Sequence, residues 1–382
     1  MAQPVCVQRV CPICGDDKHR EILHAHKFAA FHGVSFLQGY DVVCCEICGG
    51  VFADNIPGQE DFERYYKEYS KYERPADESL IHNRNAELLI RGLQEKNARV
   101  LDIGCGMGRF LHSLQKLGFK NLEGIDPSPM CTRYVNESLG IPCLEGSFPS
   151  LKHLQQKTQF DAVVLSYVLE HIVNTREILD ITCSLIKTDG LLYIGVPNST
   201  TFNPSINAPF QEFSTEHINY FCLESLKNLL GSYGFELVLF DSCRQAGMDC
   251  VFRKGNTSRQ IIKEFESKKN IECYLEKSKL LDGIILNKLS AYARGGIIVW
   301  GTGALTLRLL ANGLLNIDNI KVFVDSNPHY IGGSFKGVPV IAPDMLVSYS
   351  EPIVISSFDW YNEILSKIRN ELSLSNEVIS LK

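Results

Sequence analysis

Val100-Leu101-Asp102-Ile103-Gly104-Cys105-Gly106-Met107-Gly108 decides how the rest of the chain is read. An apolar strand runs into a glycine-rich turn, and a helical pattern follows from Arg109 to Leu117. The glycines let the backbone approach a ligand with no Cβ in the way. About twenty residues further on, Gly124-Ile125-Asp126-Pro127-Ser128 ends the next strand with a carboxylate, which can accept both ribose hydroxyls of a nucleoside. Nicotinamide enzymes share that layout. Asp102 adds an acid just ahead of the turn, and the motifs that follow it separate the cases.

Outward from this stretch the pattern alternates. Leu122–Ile125, Phe160–Leu165 and Gly190–Val196 read as strands, with helices over Met130–Leu139, about Thr175–Ile186 and Ser225–Tyr233. Gly234 gives the last helix its C-cap. Phe235–Phe240 and Asp249–Arg253 read as closing antiparallel strands. Such alternation implies a mostly parallel sheet covered on both faces, with ligands at the carboxyl ends of its strands. Beyond a long charged helical stretch, Ser258–Arg294, a second and smaller α/β unit begins with the strand Ile297–Trp300. The expected division is 1–70 for an amino-terminal unit and linker, 71–255 for the nucleotide-binding unit and 256–382 for the last.

The first segment carries Cys11-Pro12-Ile13-Cys14 and Cys45-Glu46-Ile47-Cys48, each followed by glycine. Two such knuckles can set four thiolates tetrahedrally around Zn²⁺, a closed and therefore structural site. The long insert between them is expected to hold strands of its own, and its histidines (His19, His24, His26, His32) are rival ligands. Cys44 would break the spacing. The chain has 14 cysteines, and the stretch Met1–Cys11 lacks the apolar core of a signal peptide, so a reducing, cytoplasmic setting is expected. A tyrosine-rich connection follows (Tyr65, Tyr66, Tyr69, Tyr72), leading into a helix that ends near Gln94.

The formal net charge of -6 gives no basic face for nucleic acid, and no stretch is apolar enough to span a membrane. After the strand ending Val196-Pro197-Asn198, the segment Phe213-Ser214-Thr215-Glu216-His217-Ile218 offers a histidine suited to act as a base, with Glu216 to orient it or act itself.

Phe160-Asp161-Ala162-Val163-Val164, Val168-Leu169-Glu170-His171-Ile172 and Gly190-Leu191-Leu192 follow the glycine loop in order. Together they resemble the class I S-adenosylmethionine-dependent methyltransferase family over roughly Ala98–Val196. The resemblance implies that Asp102 and the Gly104, Cys105, Gly106, Gly108 loop hold the methionine end. Asp126 and Pro127 would hold the ribose, and Ser166 would end the fourth strand beside the methyl donor. Ser147 and Phe148 stand where many relatives have an acid contacting the adenine amine. Glu170-His171 reads as a helix-start feature, not a catalytic pair.

The full order of units, with Val324-Asp325-Ser326-Asn327-Pro328 in the last, resembles the three-domain sugar C-methyltransferases, which methylate a nucleotide-linked 4-keto-deoxysugar at carbon 3. The fold implied is a Rossmann-like class I core with a small zinc-binding unit before it and a Rossmann-like α/β unit after it. His217 would remove the proton α to the ketone, Glu216 would support it or bind the sugar, and Tyr69 or Tyr72 would stabilise the enolate oxygen. That family carries a tyrosine two residues before the glutamate. Here the position is Ser214, which leaves O-methylation of a small molecule open. Nucleic-acid methylation is disfavoured, because Ser166-Tyr167-Val168-Leu169 replaces the Asn/Asp-Pro-Pro-aromatic loop of amino-methylating enzymes. In the last unit, Gly301-Thr302-Gly303-Ala304 and Asp325 look like half a dinucleotide site with Thr306 in place of the third glycine. The unit is read as holding a sugar nucleotide or closing the cleft, not as binding NAD. Trp360 and Tyr361 are read as packing residues.

Overall fold

The computed structural model describes residues 5–30, 37–69, 80–93, 95–151, 159–203, 206–242, 247–328 and 330–382. Three sheets organise them. The amino-terminal sheet is an antiparallel meander of β1 (Arg20–Lys27), β2 (Gly39–Cys45) and β3 (Val51–Asp54). Gly15 and Gly49 close the two cysteine knuckles in the left-handed region, at φ 80° and 85°. The tyrosine-rich stretch expected as a connection is instead a helix, α1 (Gln59–Tyr69). Glu60 and Asp61 in its first turn favour the positive helix end. Helix α2 (Leu80–Ile90) stops short of Gln94, which lies outside the described residues.

The middle sheet uses β4 (Val100–Ile103), β5 (Leu122–Asp126), β6 (Cys143–Glu145), β7 (Phe160–Ser166) and β8 (Ile186–Pro197) in parallel. Between them run α3 (Arg109–Lys116), α4 (Pro129–Ser138), the short α5 (Phe148–Leu151) and α6 (Thr175–Leu185). After β9 (Asn219–Tyr220) and α7 (Leu223–Gly231), β10 (Phe235–Asp241) and β11 (Gly247–Lys254) close the sheet, with β11 antiparallel to β8. The strand order is β10-β11-β8-β7-β4-β5-β6. Strand alternation builds both faces. Leu101, Ile103, Val163, Leu165, Leu192 and Ile194 meet α6 and α7 on one side. Val100, Ala162, Val164 and Tyr193 meet α2 and α3 on the other. The order reverses beside β4, so the crevice opens where β4 and β7 diverge.

The last sheet follows α8 (Glu266–Ser290). It contains β12 (Ile297–Trp300), β13 (Ile320–Val324), β14 (Ser334–Phe335), β15 (Val338–Ile341), β16 (Ile353–Ile355) and β17 (Val378–Ser380), with α9 (Ala304–Ala311) and α10 (Tyr361–Ser366). Residues 258–265, expected as helix, precede α8 without helical structure. Strand β9 does not join the middle sheet. It pairs Tyr220 with Val51 and Asn219 with Phe52, and so ties the Glu216-His217 segment to the cysteine-bearing sheet.

Arg9 locks that junction. Its buried guanidinium donates to the carbonyls of Ala53 (2.9 Å), Ile218 (3.1 Å) and Val173 (2.9 Å) and to Asn219 Oδ1 (2.9 Å). Burial lowers its pKa to about 10, and Asp54 opposes the shift.

Candidate active site and cysteine cluster

A cavity of about 720 Å³ opens at the carboxyl edge of the middle sheet. Asp102, Gly104, Cys105, Gly106, Asp126, Pro127, Ser147 and Ser166 line it. Gly104, Gly106 and Gly108 all have positive φ (72°, 51° and 70°), where a side chain is strained. A Cβ on Gly104 would also lie 2.7 Å from Val168 Cγ2. The loop is folded back by Asp126, whose Oδ2 accepts the Gly106 N–H at 2.7 Å and whose Oδ1 accepts the Ser128 N–H at 2.9 Å. Asp102 is 2% exposed, and its Oδ1 has no hydrogen-bond partner. Burial, with the Asp126 charge added, raises its pKa well above the usual carboxylate range. A buried acid in this state lacks a cation. Positive-φ glycines, an orphaned carboxylate and an adjacent cavity together fit the amino-acid end of S-adenosylmethionine. Among the other cofactor candidates, the Phe148 side chain is not described.

Helix α1 forms a wall of the cavity through Gln59, Glu63 and Tyr66, which share one helix face. The last unit adds Trp360, 61% exposed, from the loop after β16. The expectation that Trp360 is a packing residue is therefore corrected. Tyr167 follows β7 at φ 59° and lines the cavity, held by its N–H to the Gly195 carbonyl at 2.8 Å.

Next to this wall stands a polar cluster. Glu216 is buried, and its Oε1 accepts from the Tyr65 hydroxyl at 2.8 Å. Ser214 Oγ accepts the N–H groups of Glu216 (3.1 Å) and His217 (2.9 Å), fixing the turn that presents both. The His217 ring lies 5.0 Å from that of His171. His171, not His217, is the imidazole on the cavity wall. Its Nδ1 is 3.0 Å from the Glu216 carbonyl and 2.9 Å from the Tyr66 hydroxyl. Since a carbonyl only accepts, Nδ1 carries the hydrogen and Nε2 is the basic nitrogen. Glu170 Oε1 is 3.7 Å from that nitrogen. Glu170 is fully buried without a hydrogen-bond partner on either oxygen, and burial pushes its pKa up to about 8.

Glu170-His171, read from sequence as a helix start, does occupy a 3-10 turn (Leu169–His171), yet its side chains belong to the site. Of the tyrosines, Tyr65 and Tyr66 reach the cluster. Tyr69 ends α1 with its side chain undescribed, and Tyr72 lies outside the described residues.

In the amino-terminal sheet, the sulfurs of Cys11, Cys14, Cys45 and Cys48 lie within 4.8 Å of one another, with Cys11–Cys48 and Cys14–Cys45 at 3.5 Å. A tetrahedral Zn–S bond of about 2.3 Å requires sulfurs about 3.8 Å apart, so the group fits a zinc ion. The neighbouring sulfurs hold Cys45 and Cys14 down and push Cys11 and Cys48 up. Cys44 turns away toward the Gly49 carbonyl. Of the rival histidines, His24 and His26 contact each other and Phe210, His19 pairs with Asp16, and His32 lies outside the described residues.

Sheet order, glycine loop and paired acids define a class I S-adenosylmethionine-dependent methyltransferase fold. Consistent with this, residues 72–239 match the model of a family described as "Methyltransferase domain". The mitochondrial ubiquinone biosynthesis O-methyltransferase of Dictyostelium discoideum is 26% identical over 137 residues, covering 32% of this chain and 43% of the relative. Its Homo sapiens counterpart is 31% identical over 122 residues, covering 30% and 32%. The chain thus spans less than half the length of these curated relatives. A solved structure of Burkholderia thailandensis 1,6-didemethyltoxoflavin-N1-methyltransferase, with S-adenosylhomocysteine bound, is 17% identical with a TM-score of 0.38, covering 46% of this chain and 79% of that one. Among the described residues no helix is long and apolar enough to cross a membrane.

Proposed function

We propose that the chain methylates a nucleotide-linked 4-keto-deoxysugar at carbon 3, using S-adenosylmethionine held by Asp102, the Gly104–Gly108 loop, Asp126, Pro127, Ser147, Phe148 and Ser166. The observation that carries this is the imidazole pair, His171 and His217, set against Tyr66 and Glu216 at the edge of the cofactor cavity. The cofactor supplies an activated methyl group on a sulfonium. The protein's work is to remove a proton and hold the acceptor in line. His217 takes the proton from the carbon beside the ketone. His171, oriented by the Glu216 carbonyl, supports it from the cavity wall. Tyr66 takes the part first given to Tyr69 or Tyr72 and donates to the enolate oxygen.

Trp360 supplies an indole face for the sugar ring, whose deoxygenated positions offer C–H surface. The loop that carries it, residues 356–360, also lines a second cavity of about 200 Å³ with His26, Phe210, Gly303 and Arg308. The four cysteines hold a structural Zn²⁺.

The test is incubation with labelled S-adenosylmethionine and a panel of nucleotide 4-ketosugars. Solvent deuterium exchange at carbon 3 without the methyl donor is expected, and is expected to vanish in His217→Ala. Turnover falls about 10²–10⁴-fold in that variant. Full activity in His217→Ala would remove it as the base. The O-methyltransferase relatives favour a second reading, deprotonation of a ring hydroxyl by the same histidines. In that case label appears on oxygen and no carbon exchange is seen.

A further inference from the structure

Three strands end along the cofactor cavity in the order β4, β5, β6, and each end brings a polar group. Strand β4 brings Asp102, and β5 brings Asp126. The end of β6 is tied to β5 by the Gly146 N–H on the Asp126 carbonyl (3.0 Å); its Glu145 lies outside the cavity lining, 3.7 Å from Lys67 Nζ, and Ser147 brings a hydroxyl into it. A cofactor laid with its amino acid at β4 and its ribose at β5 must place its adenine at β6. The 6-amino group of adenine donates two hydrogens, and a serine hydroxyl is a weak acceptor for them beside a carboxylate.

The carboxylate comes from elsewhere in the chain. Glu63 of α1 accepts from Ser147 Oγ through its Oε2, at 3.0 Å across 84 residues of sequence. It lines the same cavity. The hydrogen bond settles which way the serine points: its only hydrogen goes to Glu63, so Ser147 orients the acid and does not itself donate to the ligand. Glu63 lies between Gln59 and Tyr66 on the cavity-facing side of α1, and Gln59 is anchored through its Oε1 to the Val173 N–H at 2.9 Å.

We propose that Glu63, positioned by Ser147, is the acceptor for the 6-amino group of the cofactor's adenine. This rests on the cleft being the S-adenosylmethionine site. Helix α1 thereby becomes part of cofactor recognition, although it comes before the β4 loop in the chain.

Titration calorimetry on the full-length protein tests this with two ligands: S-adenosylhomocysteine, and its analogue whose purine lacks the 6-amino group. Glu63→Ala is expected to weaken S-adenosylhomocysteine binding about tenfold, which is about 1.4 kcal/mol. It should leave the deaminated analogue within about twofold of wild type. Ser147→Ala should show the same selectivity with a smaller loss, and it provides a second reading should Glu63→Ala fold poorly. Equal losses for the two ligands, or no loss for either, would overturn the proposal. Failure of the wild-type protein to bind either ligand would instead remove the cofactor reading on which it rests, and Glu63 with it.

Discussion

The middle and last sheets share a plan, strand, glycine turn, helix, strand, carboxylate, and both satisfy that carboxylate from the turn, but only the middle sheet adds acids that it leaves without hydrogen bonds. At the carboxyl edge of the middle sheet, Asp102 Oδ1 and both oxygens of Glu170 are buried without hydrogen-bond partners. In the last sheet, Asp325 follows the second strand, where Asp126 stands in the middle sheet, and its Oδ2 accepts both the N–H (2.9 Å) and the hydroxyl (2.6 Å) of Thr302 in the turn. Its Oδ1 accepts the Asn327 N–H at 2.9 Å. The middle turn satisfies Asp126 through Gly106 and Ser128 but leaves the Asp102 oxygen bare, which is costly unless a ligand repays it. The other spends a threonine side chain on the job, and its acid is complete without a ligand. Glycine turns of similar pattern thus differ in purpose, and the residue two before the first glycine, Asp102 or Val299, marks the difference.

The sharpest way to break this comparison is to neutralise both acids. Asp102→Asn is expected to cost S-adenosylhomocysteine roughly a hundredfold in affinity, as for truncation of a buried charge pair. The same change relieves a buried charge whose pKa is raised by burial and by Asp126, so the ligand-free variant should melt higher than wild type. A lower melting temperature in Asp102→Asn would show that the acid has a structural partner after all.

Glu170 extends the comparison to pH. Its pKa rises from 4.5 to about 8 through burial. Between those values the folded chain keeps a proton that the unfolded chain has released, so this contribution is full below pH about 4.5 and is lost as pH rises through about 8. Glu170→Gln should flatten the decline, making the variant more stable than wild type at pH 8.5 by on the order of a few kcal/mol. Urea denaturation at pH 5 and 8.5 measures it, and parallel curves would refute it.

The third change is the mirror of the first. Asp325→Asn should lower stability by about 1–3 kcal/mol, because Thr302 and Asn327 lose a charged acceptor. It should leave S-adenosylhomocysteine affinity unchanged. Altered affinity would mean that the last unit's turn communicates with the cofactor.

What could be read in advance was local. The glycine loop, the Asp126 carboxylate and the two cysteine knuckles each declare themselves within a few residues, because backbone geometry and ligand spacing impose the pattern there. The rest of the site depends on contacts with no local period. Tyr66 meets His171 across 105 residues, and Tyr65 meets Glu216 across 151. Only α1 folding as a helix, against its reading as a connection, brings those tyrosines to the polar cluster. The pairing of β9 with β3 was equally hidden, since two residues leave no alternation to detect. Ser214 illustrates the converse. As a departure from a family pattern it looked like a loss, but its hydroxyl accepts both amides of the Glu216-His217 turn, a local job that a serine side chain can do.

The smallest expected effect joins the two sheets. Trp360 sits on the last sheet's loop yet lines the middle sheet's cavity, and the loop is pinned at its start by the Ser356 N–H on the Trp300 carbonyl (2.9 Å) and by Thr306 Oγ1 on Ser356 Oγ (2.8 Å). A pinned, exposed indole is already ordered for contact, so stacking should retain most of its worth, roughly 0.5–1.5 kcal/mol. Trp360→Ala should raise the KM of the methyl acceptor about fivefold with kcat nearly unchanged, and Trp360→Phe should recover most of the loss. The chain has two tryptophans, and the other, Trp300, is 2% exposed in β12. Quenching by added ligand therefore reports on Trp360. Quenching by acceptor and not by S-adenosylhomocysteine alone places the indole on the acceptor side, and the reverse result would make the last unit a lid on the cofactor.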